Sequence, residues 1–210
     1  MEATTIARPG VLEDAKRCGW ANAHPLLAAY HDDEWGIPEL DSRALWESLV
    51  LDSFQAGLSW LTILKKRDSF RAAFADFDPA IVARFTVKDV GRLMHDDGIV
   101  RSRPKVLAAI ANARAYERML ADGEDLASLV WSVASAGDVG GDRAALSTGL
   151  AGLLVERGYR FVGPLVVHAW LRAAGVFDEH DANCFRKNTR NSSSPFAPEG
   201  GIPSAQTDGI

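Results

Sequence analysis

Apolar positions recur at helical spacing along most of the chain, and alternation of β-branched residues with polar ones is scarce, so the pattern predicts helices and no sheet. Asp41 or Ser42 caps a first helix carrying Leu45, Leu49 and Leu51, which runs to a break at Gly57. A second starts near Ser59 and includes Trp60, Ile63 and Leu64. Pro79 sits in the first turn of a short helix within "FDPAIVARF", where its missing N–H costs nothing. "TVKDVGRLMH" opens with Thr86 and has Asp89 three residues on, the pattern of a capping box. After "DDGIVRSRPK", Ser102 caps a long helix with Val106, Ile110, Ala113 and Leu120 at helical spacing. Further helices are expected over 125–133, 150–157 and 164–174.

Between these elements, "SAGDVGGDRAALSTG" (135–149) reads as a flexible loop by its Gly and Ser content. The tail 186–210 is polar and rich in Pro, Gly and Ser, a composition that reads as disordered. Residues 1–16 also read as loose, which leaves 17–185 as one globular domain. No internal repeat is visible.

Composition narrows the class. A chain of 210 residues, 47% of them hydrophobic, has ample core for one domain. No apolar run is long enough to span a bilayer, and "MEATTIARPGVLEDAKR" has no apolar signal core. Two distant cysteines make no disulfide framework. The expected setting is therefore the cytoplasm, with no membrane partner. The net charge of −5 speaks against nucleic acid only weakly, because affinity for phosphate depends on local clusters. Three basic clusters are present, at 64–67, 101–105 and 185–190; each alone also fits a solvated face.

The segment "RCGWANAHPLLAAYHDDEWG" (17–36) concentrates chemistry in twenty positions. Cys18 and His31 lie near one end of the chain, and "HDANC" places His180 and Cys184 four apart near the other. Four apart is one helical turn, so both side chains would face one point. Cys₂His₂ is a common tetrahedral zinc set, and with all four ligands from protein the ion would be structural. Spacing alone leaves the alternative of a buried thiol and two surface histidines, since no C-x₂-C knuckle is present. Trp20, Tyr30, Trp35 and Trp60 stand among small or acidic residues rather than in apolar runs. Such rings stack on a flat heterocycle and attract a cation, though core packing is the alternative. Asp52 interrupts the apolar run "LVLDSFQAGLSW"; it is either a solvent-facing position or a carboxylate able to accept from the exocyclic amine of a base. Gly98 bends "DDGIVRSRPK" ahead of a helix N-terminus, with Arg101, Arg103 and Lys105 following. Free N–H groups at such an end bind a phosphate, although the G-x-G form of a DNA-gripping hairpin is absent.

In order along the chain, "RCGW", "YHDDEWG", "QAGLSW", "LKKR", "NARAY" and the closing H-x₃-C resemble the DNA-3-methyladenine glycosylase I family. The resemblance covers about residues 17–184. It implies an all-α fold of the helix–hairpin–helix DNA glycosylase superfamily, with zinc held by Cys18, His31, His180 and Cys184 tying the N- and C-terminal segments. It implies a base pocket of Trp20, Tyr30, Trp35 and Trp60, with Asp52 as the catalytic and recognition carboxylate. Leu58 becomes the wedge that enters the gap left by a flipped nucleotide, and the 98–105 hairpin becomes the phosphate clamp. The implied partner is double-stranded DNA carrying alkylated purines, met by a monomer, and the implied reaction is monofunctional hydrolysis of the N-glycosidic bond. Lys105 then reads as a phosphate contact rather than a Schiff-base nucleophile.

The chain departs from that family in three places. Asp52 stands where glutamate is usual, Leu27 where a tyrosine is usual, and "PLVVHAW" follows Gly163 where relatives carry more hydroxyl side chains. His168 in that segment reads as a core residue. A glycosylase with a shifted range of alkyl-purines, and a zinc-stapled DNA-binding module without catalysis, are the competing readings.

Overall fold

The computed structural model describes residues 16–136 and 142–188. Most of the tail, the residues before Lys16 and the middle of the expected 135–149 loop lie outside them. Among the described residues the chain is all helical, without strands. The helices are α1 (Pro25–Asp33), α2 (Ser42–Gln55), α3 (Trp60–Ala73), α4 (Pro79–Val82), α5 (Val87–Met94), α6 (Arg103–Ala121), α7 (Leu126–Ala136), α8 (Arg143–Glu156) and α9 (Pro164–Ala173). A 3-10 turn, Gly19–Ala23, precedes α1.

Local chemistry sets most helix starts. The side chain of Asp41 accepts from Ala44 N at the head of α2, and Ser59 Oγ accepts from Thr62 N at the head of α3. Asp78 caps α4 with Pro79 at its first position, and Thr86 and Asp89 form the expected capping box on α5. Ser102 occupies the N-cap of α6 but makes no side-chain capping bond. Three expectations are corrected. The 135–149 stretch is not a loop throughout, because Asp142 accepts from Ala144 N and Ala145 N and starts α8 at Arg143. Packing of Leu146, Ser147 and Leu150 outweighs the helix-weakening Gly149 and Gly152 there. Leu120 is solvent-exposed, outside the buried stripe of α6. Helix α1, which the aromatic-rich segment had concealed, is capped by His24 Nδ1, which accepts from Leu26 N, and has Pro25 at its first position.

The main core is built from Trp46, Phe54, Phe70, Phe74, Phe77 and Trp170, all fully buried, together with aliphatic residues of α2, α3, α6, α7, α8 and α9. Each such side chain contributes about 1.5–3 kcal/mol by leaving water. The indole N–H of Trp170 donates to Leu45 O (3.0 Å) and lies 2.9 Å from Ser48 Oγ, which locks α9 against α2. That contact matters for function, because α2 carries Asp52 and α9 supplies the opposite wall of a cavity. No described helix is long and apolar enough to cross a membrane.

Candidate active site and metal centre

A second, smaller cluster stands apart from the main core and joins the chain ends: Cys18, Tyr30, Trp35 and Cys184, with Trp60, Leu64, Ala173 and Phe185 packed against it. The turn before α1 supplies Cys18, α1 supplies His31, and the segment after α9 supplies His180 and Cys184. All four are buried, and one donor atom from each lies within 4.8 Å of every other. Cys18 Sγ is 3.5 Å from His180 Nδ1, Cys184 Sγ is 3.3 Å from His31 Nε2, and Cys184 Sγ is 3.6 Å from His180 Nδ1. Neighbouring ligands of a tetrahedral zinc, with bonds of roughly 2.0–2.3 Å, are separated by about 3.3–3.8 Å. The donor set therefore fits such an ion.

The surroundings orient these donors. His31 Nδ1 bonds Asp32 Oδ1 at 2.9 Å, which leaves Nε2 facing the sulfur atoms. Asp32 is in turn held by a two-pronged bond from Arg17 (2.8 and 2.6 Å). Burial opposes the charge on Asp32, but Arg17 and His31 together keep its carboxyl below the usual range. A carboxylate behind a ligating histidine is the arrangement that fixes tautomer and ring direction. Backbone N–H groups of Asp181 and Arg186 point at Cys18 Sγ (3.2 Å) and Cys184 Sγ (3.4 Å). Burial raises the Cys18 thiol to about 11, and burial with the nearby His31 lowers His180 to about 4. The imidazole is thus neutral, while the thiolate needs a cation beside it. Gly36 is required at its position, since its φ is +79° and an added Cβ would meet His180 Nε2 at 2.5 Å. His180 and Cys184 converge through a turn closed by Cys184 N to Asp181 O (2.8 Å), not through a helix, because Asp181 is tied to Gly19 N and Cys18 Sγ.

Directly beside this cluster lies a cavity of about 200 Å³ lined by Trp20, Tyr30, Trp35, Asp52, Gln55, Trp60, Ala169, Arg172 and Ala173. It is smaller than the roughly 300–1,000 Å³ typical for drug-sized ligands, and its size and flat aromatic walls suit one small heterocycle. All four expected aromatics and the expected carboxylate meet here. Tyr30 and Trp60 have ring centroids 5.2 Å apart, and Trp20 and Trp35 meet edge to face at 5.1 Å. Trp35 also touches His180, with centroids at 4.6 Å, so the metal cluster forms the floor behind one wall of the cavity.

Asp52 is buried, and its Oδ2 has no hydrogen-bond partner among the described residues. Burial pushes its carboxyl up to about 8. The indole N–H of Trp60 is likewise buried and unpaired. Burying polar atoms without partners costs about 1–3 kcal/mol each; Trp46 Nε1 and the Tyr159 hydroxyl are orphaned in the main core as well, and Asp52 and Trp60 differ from them in lining the cavity. A neighbouring hollow shares Tyr30, Trp60 and Ala173, yet both of its arginines are paired: Arg67 with Glu34 (2.5 Å) and Arg71 with Glu47 (2.8 Å).

Gln55, Ala169, Arg172 and Ala173 escaped the sequence reading. Gln55 lies three residues after Asp52 on α2, and Ala169, Arg172 and Ala173 share one face of α9, which was the available signal. The guanidinium of Arg172 lies 5.7 Å from the Trp35 ring and pairs with Glu179 at 2.6 Å. His168 is half-buried, outside the cavity, with Nδ1 3.0 Å from Ser147 Oγ. Leu27 does not line the cavity either.

The residues expected to meet DNA fall outside the cavity. Leu58 is 41% exposed in the turn after α2. Arg101 and Arg103 are exposed, and Arg101 pairs with Asp97 at 2.5 Å. Gly98 packs tightly on α3, where a Cβ would approach that of Ser69 to 2.8 Å. Lys105 points inward: its Nζ donates to the carbonyls of Phe54 (2.9 Å) and Ala56 (2.6 Å). It caps the C-terminal end of α2 and holds the turn bearing Leu58, a use of a lysine that favours the negative end of the helix dipole.

This combination of a Cys₂His₂ staple and a carboxylate–aromatic cavity agrees with the comparisons to known proteins. A sequence profile of the methyladenine glycosylase family matches residues 20–187. The chain belongs to that family. DNA-3-methyladenine glycosylase 1 of Escherichia coli (strain K12) is 42% identical over 179 residues, covering 80% of this chain and 95% of that one. A crystal structure of 3-methyladenine DNA glycosylase I superposes with a TM-score of 0.77 at 40% identity, covering 82% of this chain and all (100%) of the other. A variant of a glycosylase I solved in complex with 3-methyladenine superposes with a TM-score of 0.71 at 36% identity, over 80% of this chain and 95% of that one. The all-helical family fold expected from the sequence is the one observed.

Proposed function

We propose that this chain is a monofunctional base-excision glycosylase that removes 3-methyladenine from alkylated double-stranded DNA. The observation that carries the reading is the orphaned, buried carboxyl of Asp52 in a cavity walled by Tyr30, Trp35 and Trp60. The damaged nucleotide is flipped out of the duplex at a cost of a few kcal/mol. Its base enters the cavity and stacks on Tyr30 and Trp60, with Trp20 and Trp35 closing the cage around its positive charge. Asp52 accepts from the exocyclic amine, and the cationic base restores the carboxyl to its ionised form.

The reaction asks little of the protein. The bond between C1′ and the purine nitrogen breaks with its electron pair going to the ring, so the base departs neutral. Water adds to C1′ and loses a proton. Asp52, the carboxyl group that lines the cavity, senses that loss of charge. Leu58 fills the gap left in the stack, and Arg101 and Arg103, exposed just before and at the start of α6, face the phosphates, with Gly98 bending the turn that leads to them. Zinc bound by Cys18, His31, His180 and Cys184 would be structural, since protein donors fill all four positions. It would hold Trp35 and the last turn of α1 in place. The globular unit is 17–185, acting as a cytoplasmic monomer.

Arg172 favours a second reading of the substrate range. Its guanidinium on the cavity wall gives purines that carry an acceptor at that edge a partner, so other alkyl-purines join the substrate set. Chromatography of the bases freed from methylated duplex DNA tests both readings. Release of 3-methyladenine alone supports the first, additional adducts support the second, and retention of every base in bound DNA would leave a binding module.

A further inference from the structure

Between α8 and α9 the chain makes a short excursion in which Tyr159 and Val162 are buried while Arg160 and Phe161 face solvent. Phe161 is 44% exposed and has a φ of +59°. A bulky non-glycine residue in that region is strained by about 1 kcal/mol or more, and persists only where its surroundings over-determine it. Two almost fully buried polar side chains do so here. Asn112 of α6 brackets Arg160, its Oδ1 accepting from Arg160 N (2.7 Å) and its Nδ2 donating to Arg160 O (3.1 Å). Ser53 Oγ of α2 shares its single proton between Leu49 O (2.9 Å) and Phe161 O (3.2 Å). Ser53 directly follows Asp52 and lies in the helical turn that leads to Leu58, whereas Asn112 belongs to the helix that begins at the candidate phosphate clamp. The excursion is therefore riveted to the two elements that carry the pocket and the clamp, and an exposed apolar ring is what it displays. The residue before that ring, Arg160, is exposed as well.

We propose that Phe161 is a second DNA-inserting side chain, stacking on bases of the duplex that lose their neighbour when the lesion is flipped, while Leu58 fills the vacated place. This rests on the glycosylase reading above. The rigidity of the excursion serves the insertion: a ring held by buried bonds loses little freedom on stacking, and the neighbouring Arg160 supplies a contact for the backbone phosphate.

The test uses Phe161→Gly and Phe161→Tyr in the full chain. Glycine accepts a φ of +59° without strain, so the Tm of Phe161→Gly should equal or exceed that of wild type. Its excision from duplex DNA should fall at least about tenfold, on the scale of one lost base–aromatic stack. Its affinity for free 3-methyladenine should stay unchanged, and Phe161→Tyr should restore duplex excision. Unchanged duplex excision by Phe161→Gly would overturn the proposal, as would a loss shared equally with Tm or with free-base affinity, which marks a structural role. Failure of the underlying glycosylase reading looks different, since the wild-type chain itself would then free no base.

Discussion

Two buried polar sites lie side by side where the N-terminal segment meets the segment after α9, share Trp35, and differ in whether their polar atoms are satisfied. In the cysteine–histidine cluster every donor faces another, and Asp32, Arg17 and backbone N–H groups support them from outside. In the cavity, Asp52 Oδ2 and Trp60 Nε1 face nothing among the described residues. The first pattern is that of a donor set closed on itself, able to hold a cation. The second is what the proposed receptor requires, a cavity whose lining carboxyl is left unpaired at a cost to stability. The neighbouring hollow, whose arginines are already paired, shows that concavity and charge alone do not make the difference.

Removing the staple should have the largest effect. Cys184→Ser, or strong chelation, should abolish metal binding, read as the loss of about one zinc per chain by elemental analysis, and lower Tm sharply, because binding energy at a structural site is folding energy. Normal Tm with no bound metal would erase the distinction between the two sites.

The receptor should behave in the opposite sense. Burial raises Asp52 to about 8, above its unfolded value, so between those values the folded chain holds a proton that the unfolded chain has lost. Stability then falls as pH rises from about 4 to about 8, by up to about 1.4 kcal/mol per pH unit from this group. Asp52→Asn should remove that slope and raise Tm near pH 7.5 while depressing excision by tenfold or more. Loss of stability in this variant would mean that the carboxyl is structural.

Trp60→Ala should weaken binding of free 3-methyladenine by about 1–3 kcal/mol, the value of one stacking partner, as read by calorimetric titration. Lys105→Met frees the carbonyls of Phe54 and Ala56, and should lower duplex excision several-fold while changing free-base affinity little. The smallest effect is expected at Arg103→Ala, a modest loss of DNA affinity with a salt slope lower by about one.

How far the sequence reveals this arrangement depends on the range of the interactions. Helix starts at Asp41, Ser59 and Thr86 were legible because a cap and its partner lie three residues apart, and that of α4 because Pro79 suits a first turn. The cavity's aromatics and the four metal donors were legible through motifs resembling a family, although Cys18 and His180 approach each other across most of the chain. Helix α1 was not, since its tyrosine, histidine and acidic residues obscure the helical period, and α8 begins earlier than its glycine content indicates. Gln55 and Arg172 could be assigned to the cavity only after α2 and α9 were docked through Trp170. The inward turn of Lys105 depends on where α2 ends in space, which a run of basic residues does not encode.

The most direct test of the receptor is a calorimetric titration of free 3-methyladenine into the wild-type chain and into Asp52→Asn at pH 7. The account predicts saturable binding at one site in the wild type and affinity at least about tenfold weaker in the variant. Equal affinity in the two proteins would contradict it.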